Sequence, residues 1–150
     1  MAQSFCQIYV HAIFSTKKRE LWLNDNIRGR VHAYLSTIVR EMDCPYVVGG
    51  GTENHVHLLM DIGKKHTAID ILAKVKKESS KFVKEFGNKY SSFYWQSGYG
   101  MFSVSPGNVI KLEKYIINQI EHHKKQTFKD EFKAFLEKYN VKYDGKYLWD

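Results

Sequence analysis

The sequence is poor in cysteine, proline and long apolar runs, and each shortage excludes a class of protein. Its two cysteines, Cys6 and Cys44, lack CxxC spacing, which argues against zinc fingers, redox motifs and disulfide-stapled folds. No segment approaches the roughly 18 apolar residues of a membrane-spanning helix. The N-terminus has no basic segment followed by an apolar core, so we expect no signal peptide and a cytoplasmic protein. With two prolines, no Pro/Ser-rich linker and no repeat, residues 1–150 are predicted to form one domain.

Acidic residues are also scarce relative to basic ones. The chain has 23 Lys+Arg and 16 Asp+Glu, a formal net charge of +7. The excess is concentrated in residues 76–150, which hold fourteen basic and nine acidic side chains. Several short lysine clusters in so small a domain favour a polyanionic partner such as nucleic acid, although charge alone does not choose among polyanions.

Hydrophobic periodicity predicts a mixed α/β (α+β) domain of four strands and four helices. The first six elements follow the order β-α-β-β-α-β, which is typical of an antiparallel ferredoxin-like or RRM-like sheet, and two helices are added at the C-terminal end. Thr67 and Thr127 each precede an Asp at the third following position, a capping-box variant that marks a helix start. The predicted strands span 5–15, 45–48, 55–61 and 101–104, and the predicted helices begin near 27, 67, 107 and 127, with the third ending near 125.

Two histidines stand one residue apart in the third predicted strand. Because strand side chains alternate between faces, His55 and His57 share one face while Val56, Leu58 and Met60 point to the other. Two adjacent imidazoles on one face can bind a metal ion. The same pattern fits two exposed histidines on a solvated sheet, so the spacing alone leaves both interpretations open.

A tyrosine and a glutamine lie four residues apart in the third predicted helix. At about 100° per residue, Tyr115, Gln119 and His122 form one polar ridge. A tyrosine that borders an apolar stripe is usually a packing residue whose hydroxyl has a partner, so this pattern is also ambiguous alone. The stripe consists of Val109, Leu112, Ile116 and Ile120.

Three segments taken together resemble a known family. Residues 53–60 look like the HUH (histidine-hydrophobe-histidine) motif, and 115–119 looks like the Tyr-x-x-x-Gln helix that follows it. Residues 95–105 are similar to the segment that precedes this helix. The family is the single-tyrosine HUH transposases of small bacterial and archaeal insertion sequences, including the repeat-associated tyrosine transposases. Matching elements extend from 9–15 to 147–149, so the resemblance covers nearly the whole chain.

The resemblance implies an enzyme that cleaves and rejoins single-stranded DNA at hairpin-containing element ends. Tyr115 would be the nucleophile, forming a covalent 5′-phosphotyrosine and a free 3′-hydroxyl. His55, His57 and Gln119 would hold a divalent cation, Mg²⁺ or Mn²⁺, which compensates for a tyrosine pKa near 10 by polarising the phosphate. One departure is Asn54, where family members often carry an acidic residue before the first histidine. The residues show no clear general base for Tyr115.

The resemblance also implies partners. The family forms homodimers in which the tyrosine helix of one subunit often completes the histidine pair of the other. DNA recognition uses a hairpin, whose phosphates would attract exposed lysines and arginines. The basic residues expected to contact DNA are Lys17, Lys18, Arg19, Lys64, Lys65, Lys74, Lys77 and Lys81.

Two other functions remain as alternatives from the sequence. The same element order occurs in RNA-recognition modules whose sheet aromatics stack on bases, and residues 98–102 resemble part of their motif. That segment lacks the leading basic residue and the expected aromatic spacing. A metal-dependent hydrolase would need a carboxylate cluster, which Asp61 alone does not supply.

Overall fold

The fold is a four-stranded antiparallel sheet with helices on both faces. A computed structural model of the protein describes residues 2–149, and its strands pair in the order β2-β3-β1-β4. This topology confirms the predicted ferredoxin-like arrangement with added C-terminal helices. Within the described residues, no helix is both long and apolar enough to cross a membrane. The strands are β1 (Tyr9–Ser15), β2 (Val47–Gly51), β3 (His55–Asp61) and β4 (Gly100–Val104), and the helices are α1 (Arg28–Glu41), α2 (Ala68–Lys84), α3 (Val109–Ile117), α4 (Gln119–His122) and α5 (Phe128–Lys138).

The two faces of the sheet are covered by different helices. On the first face, Val56, Leu58 and Met60 pack against α1 and α2 in one large apolar core. On the second face, Ile13 packs against α5, and Leu59 packs against α3. Since side chains alternate along a strand, β1 and β3 are buried on both sides, and the histidine face is covered rather than solvated.

A glycine allows α3 to lie close to the sheet. A Cβ atom at Gly50 would stand 2.3 Å from the carbonyl oxygen of Ile116, the residue after Tyr115. The sequence predicts a second strand over 45–48 that ends before the glycines. This boundary is wrong, because β2 runs from Val47 to Gly51 and includes all three glycines. The lack of a side chain at Gly50 leaves room for the tyrosine helix at this distance from the sheet.

Two other predicted boundaries differ from the structure. Regular pairing of β1 begins at Tyr9, whose partners are on β3 and β4, rather than at residue 5. The third predicted helix, 107–125, is interrupted at Asn118, which has φ −93° and ψ 20°. Asparagine competes with helical backbone hydrogen bonding, and Gln119 begins a separate short helix. Thr67 and Thr127 are confirmed as N-caps, since their hydroxyls accept hydrogen bonds from backbone N–H groups three residues on.

Candidate active site

The two histidines of β3 lie on the second face with their Nε2 atoms directed towards the C-terminal helices. Both side chains are fully buried, which excludes two exposed sheet histidines. His57 Nδ1 lies 2.8 Å from His11 Nε2 on the neighbouring strand. His55 Nδ1 lies 3.0 Å from Thr52 Oγ1 and 2.8 Å from Asn54 Oδ1. Partners at Nδ1 hold each ring in place and leave Nε2 for the site, as in metal-binding histidines.

Asn54 acts here through its amide oxygen. Its Oδ1 is in hydrogen-bonding distance of His55 Nδ1, which is where an acidic side chain would also accept a hydrogen bond. The departure from the family pattern therefore leaves the orientation of His55 intact. Asn54 gives His55 a neutral hydrogen-bond partner where an acidic residue would give a charged one.

A carboxylate that the sequence analysis missed stands at the centre of the site. Glu131, on α5, is only 1% exposed. Its Oε1 lies 2.9 Å from His57 Nε2 and 3.1 Å from His123 Nε2. Its Oε2 accepts hydrogen bonds from the Tyr115 hydroxyl and from Gln119 Nε2. One signal pointed to this residue: Glu131 lies three residues after Phe128 and four before Phe135, on the apolar face of an amphipathic helix, where a carboxylate needs partners.

The tyrosine and the glutamine reach the histidine pair within one chain. Gln119 Oε1 lies 2.8 Å from His55 Nε2. The half-buried Tyr115 places its hydroxyl 3.0 Å from His122 Nε2, in addition to its contact with Glu131. The predicted polar ridge thus converges on one point despite the break at Asn118. We call this group the Glu131 cluster; it consists of His55, His57, Tyr115, Gln119, His123 and Glu131.

Burial and mutual charge set the protonation states of the cluster. Burial, with the nearby charge of His57, lowers the pKa of His55 to about 3, so its imidazole is neutral. Burial disfavours ionisation of Glu131, but contacts with His123, His57 and Tyr115 outweigh it and hold its pKa well below the usual range. Burial and the hydrogen bond and charge of Glu131 raise the pKa of Tyr115 well above its usual value. The tyrosine is therefore protonated beside an ionised carboxylate.

The donor atoms of the cluster fit a divalent cation. Ligand atoms of His55, His57, His123 and Glu131 all lie within 4.8 Å of one another, and Gln119 Oε1 adjoins them. His123 Nε2 is buried and faces Glu131 without hydrogen-bonding geometry, as expected for a nitrogen that shares a cation with that carboxylate. Mixed imidazole and oxygen donors suit Mn²⁺, Zn²⁺ or Co²⁺, and the oxygens also suit Mg²⁺. No cysteine belongs to this group.

The predicted DNA-contacting residues are not gathered around the cluster. Lys74, Lys77 and Lys81 are exposed on α2, which packs on the first face of the sheet. Lys17 and Lys18 are exposed in a 3₁₀ turn after β1. The remaining three are Arg19, whose guanidinium lies 5.5 Å from the Trp149 ring, Lys64, which donates to the Ser4 carbonyl, and the exposed Lys65.

Comparison with known proteins agrees with this fold. A family model described as "Transposase IS200 like" matches residues 4–119. A transposase candidate from Deinococcus radiodurans R1, solved at 1.90 Å, has a TM-score of 0.61 at 21% identity, covering 79% of this chain and 98% of that one. A REP-associated tyrosine transposase bound to a REP hairpin has a TM-score of 0.58 at 12% identity, covering 81% of this chain and 73% of that one. No curated protein matches. The matched family segment includes both histidines, the tyrosine and the glutamine but ends before Glu131.

Proposed function

Because this chain belongs to the IS200-like transposase family, we propose that it cleaves and rejoins single-stranded DNA with Tyr115 as nucleophile. One observation carries the proposal: the Tyr115 hydroxyl, the Gln119 amide and the His57 imidazole all contact the buried carboxylate of Glu131. The hairpin held by the solved REP-associated relative and the net charge of +7 support a DNA hairpin as the substrate.

In this proposal His55, His57, His123, Gln119 and Glu131 hold a divalent cation, Mg²⁺ or Mn²⁺. When bound, such an ion supplies polarisation of the scissile phosphate and neutralises charge that develops on it. His57→Ala should abolish cleavage while leaving hairpin binding nearly unchanged. Loss of both cleavage and hairpin binding would show instead that His57 is needed for the fold.

The chemical step transfers the phosphate from the 3′ oxygen of DNA to the tyrosine oxygen. A bond forms between the Tyr115 oxygen and phosphorus, and the bond from phosphorus to the 3′ oxygen breaks. The leaving oxygen takes a proton from solvent and becomes a 3′-hydroxyl. The phenolic proton passes to an acceptor within hydrogen-bonding distance, either Glu131 Oε2 or His122 Nε2. Because the phosphotyrosine conserves the energy of the phosphodiester, a 3′-hydroxyl can reverse the step and rejoin DNA without ATP.

The binding-module alternative loses its main support. An RNA-recognition sheet needs exposed aromatics, whereas Phe102 on β4 is 6% exposed and stacks on Tyr139 with ring centroids 4.6 Å apart. Helices α3, α4 and α5 occupy the sheet face on which bases would stack. The hydrolase alternative also lacks its expected feature, since Glu131 is the one carboxylate in the cation-binding group of the described residues.

The site is complete within one chain, which supports catalysis in cis. A homodimer remains a prediction. The alternative is an active site shared between two subunits. Mixing His57→Ala protein with Tyr115→Phe protein tests it, because subunits that exchange tyrosine helices would restore one intact site. We expect no covalent adduct from the mixture. Recovery of the adduct would establish an active site shared between subunits.

The direct test of the proposal is a covalent adduct that survives denaturation. Hairpin oligonucleotides with single-stranded flanks are incubated with Mn²⁺ or Mg²⁺ and resolved on a denaturing gel. Wild type should form the adduct and Tyr115→Phe should not. Tyr143→Phe is the matched control, since Tyr143 lies outside the Glu131 cluster and should behave as wild type. An equal adduct from Tyr115→Phe would overturn the nucleophile assignment.

A further inference from the structure

A cavity of about 470 Å³ opens beside the Tyr115 hydroxyl. One wall consists of β4 and α3, which lie within the family-matched segment. The other wall is α5, which lies beyond the match and also supplies Glu131. The cavity is therefore built partly by a helix that the family segment does not contain.

We propose that this cavity is a pocket for one nucleotide of the DNA strand, the nucleotide that adjoins the phosphate attacked by Tyr115. The inference deepens the proposed function and rests on it for the identity of the strand. It adds something that the Glu131 cluster lacks, namely a place where the protein contacts a base rather than a phosphate.

The size and lining of the cavity suit a nucleotide. Ligand pockets of small molecules measure roughly 300–1,000 Å³ and combine apolar walls with a few polar groups. Here Leu112, Phe135 and Tyr139 supply apolar and aromatic surface, and all three are partly exposed. Ser105 and Asn108, which precede α3, supply a hydroxyl and an amide, and Asn108 Nδ2 donates to Ser105 Oγ. Aromatic surface of this kind stacks on bases, and amides bond to base edges.

Two lysines give the cavity the charge that a nucleotide needs. Lys111 on α3 and Lys138 on α5 line it from opposite walls, and both are exposed. Neither forms a salt bridge with any residue that the structure describes. Glu131 is the one carboxylate in the lining, and its oxygens are already engaged with the cluster. Cations around an aromatic cavity favour the phosphates of a strand that continues to Tyr115.

Ala134 provides a way to fill the cavity without disturbing the core. It lines the cavity from α5 and is itself exposed, so a larger side chain has room and leaves the packed face of the helix unchanged. Ala134→Trp places an indole in the pocket. Ala134→Ser is the matched control, because it changes the residue without occupying the space. Equal thermal melting of the variants and the parent protein verifies that all of them fold.

The experiment measures DNA binding by fluorescence anisotropy in the Tyr115→Phe background, where no covalent step interferes. The probe is a hairpin oligonucleotide enriched by binding from a random pool. It is prepared with its single-stranded flank, without the flank, and with single abasic positions along the flank. We expect one abasic position to weaken binding by the parent protein about tenfold, the scale of one lost stacking contact. Ala134→Trp should bind the intact flank about tenfold more weakly and be insensitive to that abasic position.

The control proteins and probes distinguish a nucleotide pocket from a cavity that DNA does not enter. Ala134→Ser should follow the parent protein throughout, and the hairpin without a flank should bind all variants equally. Unchanged affinity of Ala134→Trp for the intact flank, or the same abasic penalty in both proteins, would overturn the proposal. An adduct formed by Tyr115→Phe would overturn the proposed nucleophile while leaving the binding measurements interpretable, so the two failures are distinguishable.

Discussion

The two faces of the sheet bury different kinds of side chain. The first face, under α1 and α2, is filled by aliphatic and aromatic side chains, such as the stacked rings of Tyr34 and Phe82. The second face, under α3, α4 and α5, buries His11, Gln119 and Glu131 between two small apolar clusters. Buried polar groups cost stability unless they are paired, and here nearly every one has a partner. The first face thus supplies most of the apolar stabilisation, and the second holds a polar site in a fixed geometry.

Among the substitutions that compare the two faces, the largest expected effect comes from removing the charge at the centre of the second face. Glu131→Gln keeps the shape of the side chain but removes the negative oxygen that faces His57 and Tyr115. We expect adduct formation to slow by about 100-fold, with weaker Mn²⁺ dependence, as for residues that orient or charge-balance a metal site. Rates measured across a Mn²⁺ titration test this. His122→Ala is the comparison, and a larger loss in that variant would make His122 the acceptor of the tyrosine proton.

A substitution in the core of the first face should lower stability and leave the rate of adduct formation unchanged. Leu35 on α1 is fully buried in the large apolar core. Leu35→Ala should lower the free energy of unfolding by about 2–5 kcal/mol, through lost transfer energy and the cavity left behind. Urea denaturation measures the loss. The rate of adduct formation per folded molecule should stay at the wild-type value, and a large drop in that rate would show that the two faces are coupled.

The sequence predicts the apolar first face more completely than the polar second face. The first face could be predicted because an apolar stripe at helical spacing and an alternating strand both point to one core. On the second face, His55, His57, Tyr115 and Gln119 could be singled out from their spacing and the family resemblance. The position of Glu131 on the apolar face of α5 signals burial, but its role depends on how α5 packs across the sheet. That packing is a tertiary contact, and no local pattern predicts which side chains the carboxylate meets.

The boundaries that were wrong have separate causes. Glycine weakens a strand interior, yet Gly50 lies within β2, at the point where α3 approaches too closely for any side chain. The helix break at Asn118 is compatible with an apolar stripe on either side, so periodicity alone predicts one continuous helix. The error in β2 reflects packing between distant segments. The error in the third helix reflects a single residue, Asn118, whose effect hydrophobic periodicity does not include.

A titratable group beside the first face gives a smaller, pH-dependent effect. Burial and the charge of Arg28 lower the pKa of His32, on α1, to about 4, from an ordinary value of 6.5. The folded state thus binds its proton less readily than the unfolded state. Stability should be highest above pH 6.5 and should fall by up to about 3 kcal/mol as the pH drops to about 4.

Denaturation of wild type and His32→Leu at several pH values isolates this contribution. The variant should lose less stability than wild type between neutral and acidic pH, because it has no proton to take up on unfolding. Parallel curves for the two proteins would show that His32 is equally basic in the folded and unfolded states. Other titrating groups contribute equally to both curves and cancel in the difference.

The smallest expected effect concerns the lysines on the outer surface of α2. Lys74, Lys77 and Lys81 lie on the layer opposite the Glu131 cluster, so they would bind a hairpin away from the cleaved phosphate. Replacing all three by Gln should reduce the salt dependence of hairpin binding by about 0.7–0.9 in log–log slope for each lost phosphate contact. The exposed Lys142→Gln is the control. An unchanged slope in the triple variant would remove α2 from the DNA surface.

In the proposed function, Tyr115 attacks DNA from within the Glu131 cluster. The chain has ten tyrosines, but cleavage after Lys114 and Lys124 releases a peptide, residues 115–124, that contains Tyr115 alone. Mass spectrometry of the trypsin-digested wild-type adduct therefore identifies the attached residue directly. We predict a nucleotide phosphate on peptide 115–124. Attachment to a peptide that contains any other tyrosine would contradict the account.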